Sequence, residues 1–221
     1  MDLSTSFVIV SELMISVVRD EGSGRTTVLL HERKHGVDLS SIKVSNRLIE
    51  IETEEVTESN WKEISNLVGR VFEERELRQV SFVCYQDLSS VAFRHSIDEG
   101  KFVRSLLLIE PICSPHPTLK DRLINKIEEF LPLGLPLRTL TKGFHAPSFL
   151  HRVRCPTAVV IRKRCSNYVK QQGSFIVKSV PTALLYETDS IELKDIDVTH
   201  FLDQLSVIQA RCPQKVKRKV A

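Results

Sequence analysis

Val80-Ser81-Phe82-Val83-Cys84-Tyr85-Gln86-Asp87-Leu88-Ser89-Ser90-Val91-Ala92-Phe93 is the stretch that decides the fold. Val80–Cys84 is a short apolar run of the kind found in a strand covered on both faces. The run breaks sharply at Tyr85-Gln86-Asp87, and Ser89 and Ser90 then fall in the first turn of a helix, where capping or solvent contact is their default role. Cys84, at the end of that strand, reads as a buried core thiol.

Working outward, other strands of the same type recur with helical segments between them. Phe7–Val10 and Met14–Val18 form an N-terminal antiparallel pair, and the turn at 20–24 leads into Thr26–Leu30. Leu48–Glu52, Ser105–Ile109, Ala158–Ile161 and Ala183–Glu187 complete the set. Trp61, Ile64, Leu67, Val68, Val71 and Phe72 repeat at the spacing of one helix face, with Ser59 or Thr57 as N-cap. A second amphipathic helix is expected over residues 118–131, followed by an apolar Pro/Gly stretch to Leu137, and a last helix over Val198–Ala210. Strands alternating with helices predict a three-layer α/β domain spanning 1–221, its mainly parallel sheet covered by helices on both faces.

The charge balance excludes some partners. With 31 basic and 28 acidic residues, the net charge of +3 does not announce nucleic acid or an anionic membrane. Arg162-Lys163-Arg164 and the tail over 213–221, which holds Lys215, Lys217, Arg218 and Lys219, read as solvated surface; the tail is the one hint of a nucleic-acid contact. Cys84, Cys113, Cys155, Cys165 and Cys212 show no CxxC spacing, so neither zinc nor a disulfide framework is signalled. His145 and His151 have no carboxylate or thiol at ligand spacing. No metal or cofactor is expected. No apolar segment approaches the roughly 20 residues a spanning helix needs. Reduced thiols and the absence of a basic, uninterrupted apolar leader predict a cytoplasmic protein.

At 80–93 the order strand, sharp turn, helix resembles the nucleophile elbow of the α/β-hydrolase family, whose motif is G-x-S-x-G. Cys84, Gln86 and Leu88 stand at the glycine, serine and glycine positions. The flanking order fits as well, over roughly residues 14–210. Thr26–Leu30 with His31-Glu32 resembles the strand that enters the family's oxyanion loop, with Glu32 in place of glycine. Arg154-Cys155-Pro156-Thr157-Ala158-Val159-Val160-Ile161 resembles the strand before the family acid and puts Cys165 where the aspartate would lie. His200-Phe201-Leu202 resembles the segment of the family histidine. The resemblance implies a minimal cap, because residues 110–155 leave little room for a larger one, and therefore a shallow or closed pocket.

The chemistry follows from residue type. A triad needs a hydroxyl or thiol that an imidazole can deprotonate, and an acid to orient the imidazole. Gln86 offers an amide. Cys165 is no carboxylate, although Asp195, Asp197 or Asp87 could stand in. Glu32 beside the oxyanion donors would repel the charge that develops there. The expectation is therefore a non-catalytic relative that binds a small molecule or a partner protein, with His31, Glu32, Tyr85, Asp87 and Cys165 lining the pocket. The alternative is an enzyme without a nucleophile that uses His200 as general base and Gln86 as hydrogen-bond donor.

Overall fold

Among the described residues eight strands lie in one sheet, in the order β1-β2-β4-β3-β5-β6-β7-β8. They are β1 (Ser6–Val10), β2 (Leu13–Glu21), β3 (Thr26–Glu32), β4 (Arg47–Thr53), β5 (Val80–Tyr85), β6 (Val103–Ile109), β7 (Thr157–Arg162) and β8 (Ala183–Thr188). Among the described residues four α-helices accompany them: α1 (Trp61–Glu74), α2 (Ser89–Asp98), α3 (Asn167–Ser179) and α4 (Val198–Arg211). The computed structural model describes residues 6–10, 13–33, 47–57, 60–98, 100, 102–113, 148–190 and 198–211. The expected helix over 118–131, the stretch to Leu137, His145, Asp195, Asp197 and the tail over 213–221 lie outside the described residues, as does most of the 110–155 connection.

The N-terminal pair is antiparallel, and β2 joins β4 antiparallel as well. From β4 through β3, β5, β6 and β7 to β8 every pairing is parallel. Such a sheet must be covered on both faces, and the alternation along the strands shows how. Val28, Leu30, Phe82, Leu106 and Val159 meet the helix layer that holds Ile64 and Phe72 of α1, Val91 of α2 and Ile176 of α3. Leu29, Val83, Leu107 and Val160 face the other way, against Val198, Phe201 and Leu205 of α4. The three layers are those the alternation of strands and helices predicts.

Local chemistry fixes the helix starts. Asn60 N donates to Thr57 Oγ1 at 3.3 Å and Thr57 N donates to Asn60 Oδ1 at 2.7 Å, a reciprocal cap in which asparagine stands where glutamate or glutamine is usual. Thr57, not Asn60, therefore supplies the capping oxygen at α1, and Ser59 lies outside the described residues. The apolar face of α1 is the one the spacing predicts, Trp61 to Phe72 all buried. In α3, which no apolar periodicity announces, Ser166 Oγ accepts from Val169 N at 3.3 Å. A Cβ at Gly173 would come within 3.2 Å of Ile161 Cγ2, so glycine lets α3 settle onto β7.

Two expectations about polar residues change. Ser89 does not meet solvent: it is 0% exposed, and among the described residues its hydroxyl has no partner. Arg162 leaves the solvated run. Its Nε and Nη2 donate to Oε1 and Oε2 of Glu110 at 2.6 and 2.9 Å, tying the ends of β6 and β7 together. The reason is position, since Arg162 is the last residue of β7 and Glu110 follows β6 in the neighbouring strand. Among the described residues no helix is long and apolar enough to cross a membrane.

Candidate functional site

In a parallel sheet, ligand-binding residues collect where the strands end at their carboxyl termini. Here β3 ends in His31-Glu32, β5 in Tyr85 with Gln86 directly after it, β6 in Ile109 with Glu110 directly after it, and β7 in Arg162. Gln86 has φ of 43°, in the left-handed region that a side chain with a Cβ avoids, and opens the 3-10 turn Gln86–Leu88 that runs directly into α2. This is the strained strand-to-helix turn that the sequence order predicts. The backbone carbonyl of Gln86 accepts from Ile112 N at 3.2 Å, so the chain leaving β6 braces the turn. Gln86 and Asp87 are half-buried.

The flanking positions explain how the turn forms without glycine. Cys84 and Leu88 are both 0% exposed and sit within the core layer shared with α1 and α2. Their side chains take part in packing where the motif leaves space. Burial pushes the Cys84 thiol well above its ordinary pKa, which keeps it protonated and unreactive.

Tyr85 points to the opposite face, into the layer with α4, and is 2% exposed. Its hydroxyl has no partner among the described residues, and burial drives its pKa upward. His31 is 4% exposed and meets two acceptors: Nε2 lies 2.9 Å from Glu50 Oε1, and Nδ1 lies 3.2 Å from the Glu32 carbonyl. Both partners are acceptors, so together they favour the charged, doubly protonated ring. Burial opposes that charge, but the bonds to Glu50 and the Glu32 carbonyl, with the charges of Glu50 and Glu52, hold its pKa above the usual value. His31 is thus held in a buried pair with Glu50 at the carboxyl end of β3.

Glu32 is also buried, and its Oε1 accepts from Val56 N at 3.0 Å, so the carboxylate anchors the segment between β4 and α1. Cys165 is half-buried, packs against the core on the α1–α3 side, and donates its backbone N–H to Arg162 O at 3.0 Å. Burial and the nearby Glu110 charge raise its thiol pKa. His200 lies exposed near the start of α4, its ring edge-on to Phe201 at 5.3 Å. The structure therefore gathers Gln86, Asp87, Tyr85, His31 and Glu32 at the ends of β3 and β5, and holds Cys165 by the end of β7. His200 stands on the exposed side of its helix.

Glu110 and Arg162 are carboxyl-edge residues that no spacing pointed to. Glu110 is 2% exposed and has φ of 49°, the same unusual backbone region as Gln86. An acid directly after the apolar run Leu106–Ile109 was the available signal. Among the described residues no group of three or more histidines, cysteines or acids is arranged to hold a metal.

No protein-family model matches the chain, and no curated protein matches it in sequence. Solved structures do match in fold. A serine hydrolase of carbazole degradation, CarC, superposes with a TM-score of 0.65 at 14% identity, covering 92% of this chain and 98% of its own. The enol-lactonase of Burkholderia xenovorans LB400 gives 0.64 at 11% identity, with 93% and 100% covered. The chain has the α/β-hydrolase fold. MenH from S. aureus gives 0.59 at 12% identity over 87% of this chain and 97% of that one. Coverage is near complete on both sides, so the likeness extends over the whole sheet from β1 to β8.

Proposed function

We propose that this protein is a non-catalytic user of the α/β-hydrolase fold, a scaffold that binds a small molecule or a partner protein. The observation that carries the reading is Gln86 at the tip of the elbow, φ 43°, where the chemistry of the fold needs a nucleophile. An amide at that point can donate and accept hydrogen bonds, which suits binding. The surrounding groups support it. His31 is committed to Glu50, Glu32 to Val56 N and Glu110 to Arg162, so three groups that could act as base or acid are held in internal pairs. Cys84, the nearest thiol in sequence, is buried and protonated. A reducing, cytoplasmic setting fits the free thiols of Cys84, Cys113, Cys155 and Cys165.

The test is a panel of activated esters and a fluorophosphonate probe applied to the full chain. No labelling and no turnover above the uncatalysed rate are expected. Turnover that disappears in His200→Ala or Gln86→Ala would overturn the reading in favour of an enzyme that works without a nucleophile, with His200 as general base.

A further inference from the structure

Among the described residues the sheet ends at β8, and none of them pairs with its outer edge. Thr157 N donates to Thr182 O and Lys163 N donates to Thr188 O, so the even-numbered residues of β8 turn their backbone groups toward β7. Leu185 and Glu187 therefore turn their N–H and C=O groups outward. The side chains are as unprotected as the backbone: Leu184 is 44% exposed and Leu185 36%. An edge strand usually carries charge, proline or a bulge against pairing, and the middle of this one carries two leucines.

We infer that β8 pairs antiparallel with β8 of a second copy of this chain, about a twofold axis through Leu185. The occupant follows from the strand itself. A twofold perpendicular to the sheet keeps each face on its own side, and directly opposed residues must share a face. Centred on Leu185, this symmetry lets the two Leu185 residues exchange N–H···O bonds, and each Glu187 N–H meets the other copy's Ala183 carbonyl. On the other face Leu184 of each copy lies against Tyr186 of the second. Centring on Tyr186 instead would set Leu185 against Glu187, an apolar side chain against a charge.

The helix above the edge supports the same register. A Cβ at Gly173 would lie 3.2 Å from Ile161 and 3.6 Å from Leu185, which places α3 over the boundary of β7 and β8. Across the seam the two α3 helices lie two strand spacings apart, about 10 Å, the distance at which helices pack. Gln172 faces away from the seam, since its Oε1 accepts from Cys113 N and Sγ after β6. At about 100° per residue, Ser174 and Lys178 then face the seam. Ser174 is small and stands near the axis. Exposed Lys178, at the end of α3, reaches the level of the second copy's exposed Glu187. Lys170 lies toward the level of its own chain's Glu187, which keeps a carboxylate between the ammonium groups.

Sedimentation equilibrium on the full chain over a micromolar range is expected to show a dimer, and Leu185→Lys is expected to be monomeric with an unchanged circular dichroism melt. Under mild oxidation Leu185→Cys should give a disulfide-linked dimer, and neither Leu184→Cys nor the parent chain should. Lys178→Glu and Glu187→Lys should each weaken association about tenfold, and the double reversal should restore it. A parent chain that stays monomeric overturns the proposal. So does a dimer that survives Leu185→Lys and is not cross-linked through position 185. Should Leu185→Lys fail to fold, the cross-link and the charge reversals still decide. The result is independent of the ester panel, because no elbow residue is altered.

Discussion

Gln86 holds a backbone conformation that costs a residue with a Cβ about 1–2 kcal/mol, and the turn imposes it whatever the residue does. Glycine would remove that cost and lose part of the gain to its freer unfolded chain, and a β-branched residue would suffer most. Urea midpoints should therefore rank Gln86→Gly at or above the parent by up to about 1 kcal/mol, and Gln86→Val below it by about 1–2 kcal/mol. Equal midpoints for all of these would mean that the elbow strain is not present in solution. The identity of this residue was legible in the sequence, because a strand, a break and a helix leave only one tip. Its neighbours were not. That Cys84 and Leu88 pack inward depends on α1 and α2 closing over them, which no local pattern encodes.

At the scale of elements, the parallel strands announce themselves by unbroken apolar runs, and α1 by six apolar positions on one face. Helix α3 has no such signal, since only Gly173 and Ile176 are buried along it and a glycine sits at its centre. It is held by its cap and by a close approach to β7, which are properties of the partner. The join between β6 and β7 is likewise invisible in sequence, its two residues being 52 positions apart. Glu110 has a side chain only 3% exposed, against 24% for Arg162, so losing the arginine strands a carboxylate in the interior. Arg162→Met should cost about 2–3 kcal/mol by chemical denaturation, less than a fully buried pair because water still reaches the guanidinium. Adding Glu110→Gln should recover much of the loss, and a strictly additive double variant would show that the two side chains do not act as a pair.

For the whole molecule, two buried histidines on opposite faces of the sheet set opposing slopes on stability against pH. His31, paired with Glu50 on the α4 side, has a pKa above the ordinary 6.5. Its contribution is complete below about pH 6.5 and is lost as pH rises through the raised folded value. His95 lies in α2, where Nε2 donates to Ser65 O at 3.0 Å and the ring stacks near Phe72. Burial lowers its pKa below 6.5, so its contribution is complete above about pH 6.5 and is lost as pH falls through the lowered value. Asp20 acts further down. Hydrogen bonds from Arg47, with the charges of Arg47 and Arg75, outweigh burial and depress its pKa below 3.8, so its support is lost only under strong acid. Unfolding free energies between pH 5 and 8 should then crest near neutrality and fall on both sides. His31→Gln, which keeps a donor for Glu50, should flatten the alkaline limb, and His95→Gln, which keeps one for Ser65, should flatten the acid limb. If His31→Gln leaves the alkaline limb as steep as in the parent, titration of the His31–Glu50 pair at the end of β3 is not what that limb reports. The two limbs can be assigned separately because each histidine is packed in a different layer, and neither touches a charged group that holds the other.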